Sequence, residues 1–444
     1  MPRSEGGFIV FINNTPHRWV KKNSHSYQMS WPVPDIIHPY SVYGVRVEWY
    51  LKIIKSYQRD DGASVVYGLE DNQHTEFTIQ CKDGVDKRIT VFAPFGSITL
   101  PWRHDGISPF GVSGSDGKYF FFGQDASRWM TTNNNLKQLT LDKLTVLGSH
   151  DAGMSEFGSH TAFASKNTTV TQTRNIEQQL NLGARYFDIR PVISAGKFCC
   201  GHYSSTTGSA QGGNGQSISS IVDQINRFCN GKNELVILNI SHDSNTDVGY
   251  GKYRNFNKDE WIRFFNEMLN IKNLCTCNNN LLCEKIEDRK TVGELTALGS
   301  CVVVRLESDF ACQVLNEQSP ETKMKFCQKQ DLNIFDSYSG SNTYTTMRND
   351  QFKKMQQNSN DRNKLFLLSW TLTQDASNAI SATLGGSTSI LNLASAANMH
   401  LDEDLFNEIN SNHDYPNIVY IDKIETPEGI FAAQMTNDMR FYKK

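Results

Sequence analysis

The sequence predicts two architectures in one chain: an antiparallel β-sandwich over about residues 1–125 and a distorted (β/α)8 barrel over about residues 141–444, joined by a linker at 126–140. Three observations predict this. The first part holds short segments rich in Val, Ile, Phe and Tyr, separated by Gly, Asp, Asn and Pro. From about residue 140 such segments alternate with stretches of helical period. The length of 444 residues exceeds one ordinary domain, whereas a barrel alone uses about 250.

The expected sandwich strands are "GFIVFINN", "YGVRVEWYLKI", "ASVVYGLE", "EFTIQCK", "RITVFAP" and "KYFFFGQ". Trp19, Trp31, Trp49, Trp102 and Trp129 lie in or just after this region. Large aromatics ordinarily serve packing, so a sandwich core is the first expectation for them and an aromatic rim at a lipid interface the second. "DASRWMTTNNNLKQLTLDKL" reads as the connection. The expected barrel strands are "KLTVLGSH", "ARYFDIRP", "KFCCGH", "ELVILNISH", "CVVVRLES", "LNIFDSY", "KLFLLSWT" and "NIVYIDKI". Helices are predicted in "TRNIEQQLNLG", with Ile176 and Leu180 four apart and Gly183 as a stop, and in "SISSIVDQINRFCNG". "DEWIRFFNEMLN" opens on acids suited to a helix N-terminus. The second-to-third strand connection is too short for a helix, so the barrel is expected to be imperfect.

Composition narrows the function. Net charge is −3, and P-loop and dinucleotide signatures are missing, so no nucleic-acid partner is expected. No apolar run approaches the ~18 residues of a membrane span, which leaves peripheral contact. The start, "MPRSEGGFIVFINNTPHRW", lacks the pattern of a secretory signal. The expected location is therefore cytoplasmic or at a membrane periphery, with conventional secretion not favoured. Ten cysteines are irregularly spaced. Cys275, Cys277 and Cys283 cluster, but zinc wants four ligands, often in C-x2-C pairs, so reduced thiols or a local disulfide are the better reading. "NNT", "NTT" and "NIS" match the glycosylation pattern.

Polar residues gather at the ends of the expected strands. The first ends at His150 and Asp151, the second carries Asp188 and Arg190, and the third His202. Ser241, His242 and Asp243 end the fourth, with Arg305 and Glu307, Asp336 and Tyr338, and Asp422 on later ones. In a barrel these ends share one rim, where active sites of the fold sit. Glycines around His150 would let a substrate approach the backbone. Taken singly, a strand-end His is ordinarily a surface residue and Asp-x-Arg a structural ion pair. Cys199, Cys200, Cys277 and Cys283 read as packing residues rather than nucleophiles. No G-x-S-x-G elbow is present for a serine hydrolase. Jointly, two His, an Arg and several carboxylates on one rim suit phosphate ester chemistry: one His takes a proton, one gives it, and Arg grips the phosphate.

"LGSHDAGMSEF", "TQTRNIEQQLNLGARYFDIRP" and "CCGHYS", in this order and spacing, resemble the X-type catalytic domain of phosphatidylinositol-specific phospholipase C, a phosphodiesterase family, in its bacterial and fungal-type branch. The resemblance is specific over about residues 140–205 and looser to the end of "NIVYIDKIETP". "TPHRW" and "SYQMSW" look like β domains attached to fungal-type members. The resemblance implies a distorted TIM barrel. It also implies His150 as the base that deprotonates the inositol 2-hydroxyl, with Asp422 orienting it. Arg190 would hold the phosphate and Asp188 would fix Arg190. His202, helped by Asp151, would protonate the departing diacylglycerol oxygen, and the product would be a cyclic inositol phosphate. Calcium-dependent relatives place an acidic ligand where Arg190 stands. A guanidinium supplies the cation itself, so no metal or other cofactor is expected. The bacterial lysine near the fourth strand end is replaced here by Ser241, His242 and Asp243. His242, Arg305, Asp336 and Tyr338 fit headgroup-binding positions. The implied partner is a phospholipid at a membrane surface.

Two other readings stay open on the sequence. A glycerophosphodiesterase-like barrel also pairs histidines but holds a metal with carboxylates, and "FDIRP" lacks the Glu-x-Asp pair such a site wants. A non-catalytic lipid- or glycan-binding barrel could keep the rim without turnover.

Overall fold

The computed structural model describes residues 5–49, 61–83, 87–115, 117–122, 125–205, 210–249, 253–276, 281–282, 286–374 and 389–442. They form two compact units, the first from within 1–125 with 402–406 and 437–444, the second from within 126–401 and 407–436.

The second unit is built on eight parallel strands: β1 (Val146–Ser149), β2 (Ala184–Ile189), β3 (Leu235–Ile240), β4 (Cys301–Leu306), β5 (Cys327–Gln328), β6 (Ile334–Phe335), β7 (Leu365–Trp370) and β8 (Ile418–Ile421). Their order is β5-β4-β3-β2-β1-β8-β7-β6. The last strand lies beside the first, with Val146 opposite Ile418 and Ser149 opposite Ile421. That neighbourhood is the wrap-round order of a TIM-like barrel. Among the described residues the ladder stops between β5 and β6, each two residues long. Every residue of β2, β3, β4 and β7 is buried, as expected of parallel strands covered on both faces.

The helices follow their local signals. Ile176–Asn181 starts at a capping box between Asn175 and Gln178. Ile218–Cys229 is capped by Ser217 and buries Ile218, Ile221, Val222, Ile225 and Phe228 on one face. Lys258–Met268 starts at a capping box between Asn257 and Glu260. The stretch 126–140, expected as a linker, is part of the second unit: Trp129, Met130 and Leu136 are buried. Glu234, just before β3, accepts from Thr131 N at 2.7 Å.

The expected third strand is displaced. Lys197–Ser205 pairs antiparallel with Pro191–Ser194 and Ala210–Ser217 in a separate four-stranded sheet. Two residues, Ala195 and Gly196, both at positive φ, connect Pro191–Ser194 to Lys197–Ser205. Such a turn reverses the chain and cannot continue a parallel sheet. The missing parallel strand is the short β5, whose two residues carry no periodicity to read. Gly148 and Gly153 answer to packing rather than to an approaching substrate. A Cβ on Gly148 would crowd Ile418, and one on Gly153 would collide with Cys200.

Cys275 is disulfide-bonded to Cys301 at the start of β4, so it is no thiolate ligand for zinc. Cys277 and Cys283 lie outside the described residues. Cys81, Cys199, Cys200, Cys229 and Cys312 are free. Two of the three glycosylation matches are unusable by burial, Asn13 being fully buried and Asn239 nearly so. Among the described residues no helix is long and apolar enough to cross a membrane.

The first unit contains two β-sheets, of five and six strands. The pairing is antiparallel except for one pair that corrects the expectation: Glu5–Asn14 runs parallel to Ile107–Ser115. The five-stranded sheet supplies Phe11 and Phe110, whose rings meet Tyr67, Trp19 and Phe77 of the six-stranded sheet. Trp19 and Trp49 are buried, and Trp49 meets Trp102 edge to face. These tryptophans are packing residues.

Candidate active site

Because the eight strands are parallel, their C-terminal ends fall on one side of the sheet. His150 and Asp151 follow β1, Arg190 follows β2, Ser241 and His242 follow β3, and Asp422 follows β8. His202 comes from the side sheet, which lies close enough to the loop after β1 for His202 Nδ1 to stand 2.7 Å from Asp151 Oδ2.

The centre is the Arg190 guanidinium. Its Nε donates to Asp188 Oδ2 at 2.8 Å, its Nη1 lies 3.5 Å from Asp151 Oδ2, and its Nη2 lies 2.9 Å from His150 Nε2. Asp188 also accepts from Ser241 Oγ at 2.6 Å and from Tyr420 OH at 2.7 Å. Burial penalises this carboxyl's charge, but Arg190, the neighbouring histidines and the Ser241 hydroxyl outweigh it and hold Asp188 well below the usual carboxylate range. Burial works against Arg190 too. Asp188 and Asp151 overcome it and keep the guanidinium charged.

His150 Nδ1 lies 2.7 Å from Asp422 Oδ1. A carboxylate accepts, so Nδ1 carries the proton and Nε2 presents its lone pair, towards which Arg190 Nη2 points. Burial lowers the His150 pKa, yet the charge and hydrogen bond of Asp422 raise it more, against Arg190, and the net direction is up. The result is two His–Asp pairs, His150–Asp422 and His202–Asp151, on either side of one guanidinium. All six of the expected catalytic residues are drawn into this one network.

The expected headgroup residues divide. His242 hydrogen-bonds Ser241 Oγ at 2.9 Å and so borders the network. Asp336 is exposed on its strand-end loop. Partial enclosure by protein, then the negative charges of Asp188 and Glu307, push its carboxyl up to about 6, against the pull of His150 and Arg190. Arg305 is buried and engaged with Leu332 O at 2.7 Å and with Asn239 Oδ1. Tyr338 is 65% exposed and is not part of the hydrogen-bonded network. No group of three or more His, Cys, Asp or Glu placed to hold a metal ion occurs among the described residues.

Sequence reasoning placed Ser241 on the rim but gave no role to Tyr420, Thr171, Gln172 or Gln179. Tyr420 had a signal: it stands two residues before Asp422, so strand alternation puts both on one face. The two glutamines had none, because the contacts that matter, Gln172 with His150 O and Ile421 O and Gln179 with Ala152 O and Ser149 Oγ, join positions distant in the chain.

No protein-family model matches the sequence, and no curated protein matches it. Similar solved structures include a mutant of phosphatidylinositol-specific phospholipase C from Staphylococcus aureus, with 13% identity, 70% of this chain and 99% of that chain covered, and a TM-score of 0.49. A second mutant of that enzyme has 14% identity, coverage of 72% and 98%, and a TM-score of 0.49. The phosphatidylinositol-specific phospholipase C of Listeria monocytogenes has 17% identity, coverage of 70% and 98%, and a TM-score of 0.46.

Proposed function

We propose that this rim is the active site of a metal-independent phosphodiesterase that cleaves a phosphatidylinositol-type lipid at a membrane surface. The observation that carries the reading is the pair of His–Asp dyads flanking Arg190. Cleavage of a phosphodiester by a neighbouring hydroxyl needs a base, an acid and a cation at the phosphate, and these groups supply one of each. The motif resemblance at "LGSHDAGMSEF", "DIRP" and "CCGHYS" adds the inositol lipid to that chemistry.

In this mechanism the phosphate draws Arg190 Nη2 away from His150 and frees Nε2. His150 then takes the proton of the inositol 2-hydroxyl, whose oxygen attacks phosphorus. Asp422 stabilises the imidazolium that forms. Arg190 offsets charge growing on the phosphate oxygens, and Asp188 with Tyr420 and Ser241 keeps the guanidinium in place. The bond from phosphorus to the glycerol oxygen breaks as His202, held by Asp151, donates a proton to that oxygen. The products are a cyclic inositol phosphate and diacylglycerol. His242, Asp336 and Tyr338 are the proposed headgroup contacts; Arg305, engaged with Leu332 O and Asn239 Oδ1, would reach a headgroup only by giving up those bonds. Residues 1–125 are the proposed β-sandwich accessory domain.

The test is hydrolysis of a panel of phospholipids and glycerophosphodiesters, with phosphorus NMR of the products. A cyclic phosphate from phosphatidylinositol, formed in EDTA, is expected. Activity lost in EDTA and restored by Ca²⁺ would point to the carboxylates as metal ligands. No turnover of any member would point to a binding barrel.

A further inference from the structure

We infer that Thr171, Gln172 and Gln179 form a positioning brace that fixes the backbone of residues 149–152 and thereby aims both His–Asp dyads at Arg190. Its effect on turnover rests on the catalytic reading above; its geometry does not.

The need for a brace is local. Asp151 turns into the left-handed region, at φ +41, which a non-glycine residue adopts only where its surroundings hold it. The carbonyls of His150, Asp151 and Ala152 leave the regular ladder there, and buried carbonyls need donors. Side chains donate to all three, and Asp151 O also accepts from Met154 N at 3.0 Å. Gln172 Nε2 donates to His150 O at 2.9 Å, Thr171 Oγ1 to Asp151 O at 2.9 Å, and Gln179 Nε2 to Ala152 O at 2.9 Å. All three donor residues are fully buried.

Gln172 also joins two strands. Its Nε2 reaches Ile421 O at 3.2 Å, and its Oε1 accepts from Ile424 N at 3.0 Å. Those contacts bracket Asp422. One amide therefore ties the end of β1, which carries His150, to the end of β8, which carries Asp422. On the other side, Ser149 Oγ donates to Gln179 Oε1 at 2.7 Å. These are positioning residues, since none of them touches the dyads' ring nitrogens or carboxylates. A merely structural role would lower stability and leave the His150–Asp422 pair unchanged in molecules that fold.

The full-length Gln172→Met variant keeps the side-chain length and removes the amide. Circular dichroism and urea denaturation establish that it folds. Proton NMR then follows the downfield Nδ1–H signal and the titration of His150, whose charged neighbours are Asp422, Arg190, Asp188 and Asp336. In the folded variant we expect the downfield signal to weaken and the titration midpoint to fall. With phosphatidylinositol, kcat should drop by up to about 10²-fold with KM little changed, as for a small misplacement of a catalytic group. A folded variant with the signal, midpoint and kcat of the wild type overturns the brace. Where Gln172→Met does not fold, Thr171→Val and Gln179→Met carry the test, and wild-type kcat in both folded variants overturns it. If the wild-type protein cleaves no lipid, the functional reading fails, and the His150 signal alone still decides the brace.

Discussion

Arg190 donates to Asp188 and points Nη2 at His150 Nε2, so one side chain links the carboxylate cluster to the imidazole proposed as base. His150→Ala and His202→Ala are each expected to lower turnover by about 10² to 10⁴, the usual worth of a positioned acid or base; near wild-type rates in either folded variant would remove that role. His150 acts as base only when neutral, and Asp422 raises its pKa. The acid limb of the kcat/KM profile should therefore lie above the ordinary imidazole value of about 6.5. In Asp422→Asn the negative charge is gone, the neutral ring is favoured, and that limb should move to lower pH. Arg190→Lys keeps the charge and loses the planar fork. Its kcat should fall by about 10² or more, the cost of losing a donor to developing charge, and measured rates close to wild type would show that charge alone suffices.

At the scale of elements, β2 and β3 are joined below the site by Arg185 and Glu234, both fully buried and 2.8 Å apart. Arg185 also donates to the carbonyls of Leu180 and Ala184, and Glu234 accepts from Thr131. Removing one partner leaves a buried charge without its counter-ion. Glu234→Ala should cost about 3–5 kcal/mol in urea denaturation. By contrast, Glu177→Ala at the half-exposed Arg227–Glu177 pair should cost less than about 1 kcal/mol. Equal costs would mean the buried pair is not what joins these strands.

At the scale of the molecule, the first unit takes in residues from the end of the chain. Asp438 is fully enclosed and bonded to Asn14 Nδ2 at 2.6 Å and to Ser113 Oγ. Burial pushes its carboxyl up to about 8, against those two hydrogen bonds. A raised carboxyl pKa gives stability that is complete below the unfolded value of about 3.9 and is lost as pH rises through the folded value. Asp438→Asn should therefore flatten the fall in stability between about pH 4 and 8, read from urea midpoints; an unchanged slope would show that Asp438 is ionised in the folded protein. The accessory role proposed for residues 1–125 predicts that a chain starting at Ala126, once circular dichroism shows that it folds without them, binds phosphatidylinositol vesicles less than the full chain in sedimentation, and equal binding would remove that role. The Cys275–Cys301 bridge is of the kind that persists in an oxidising compartment.

The sequence by itself determined the strand-and-helix alternation, seven of the eight parallel strands, and the residues that end them. Strand period, capping residues and turn chemistry are local, so they are written in neighbouring positions. His150, Arg190 and Asp422 could be named because each closes a readable strand. Other features could be decided only by the tertiary structure. His202 sits on a side hairpin rather than on the barrel, because a two-residue turn forces antiparallel pairing. Arg305 is spent on Leu332 and Asn239, which no spacing reveals. Gln172 takes its place through backbone atoms brought near by the meeting of the chain's first and last parallel strands, and Gln179 through Ser149 at the end of the first and Ala152 in the loop after it. Hydrogen-bond partners distant in the chain are fixed by packing, and packing has no local period to read.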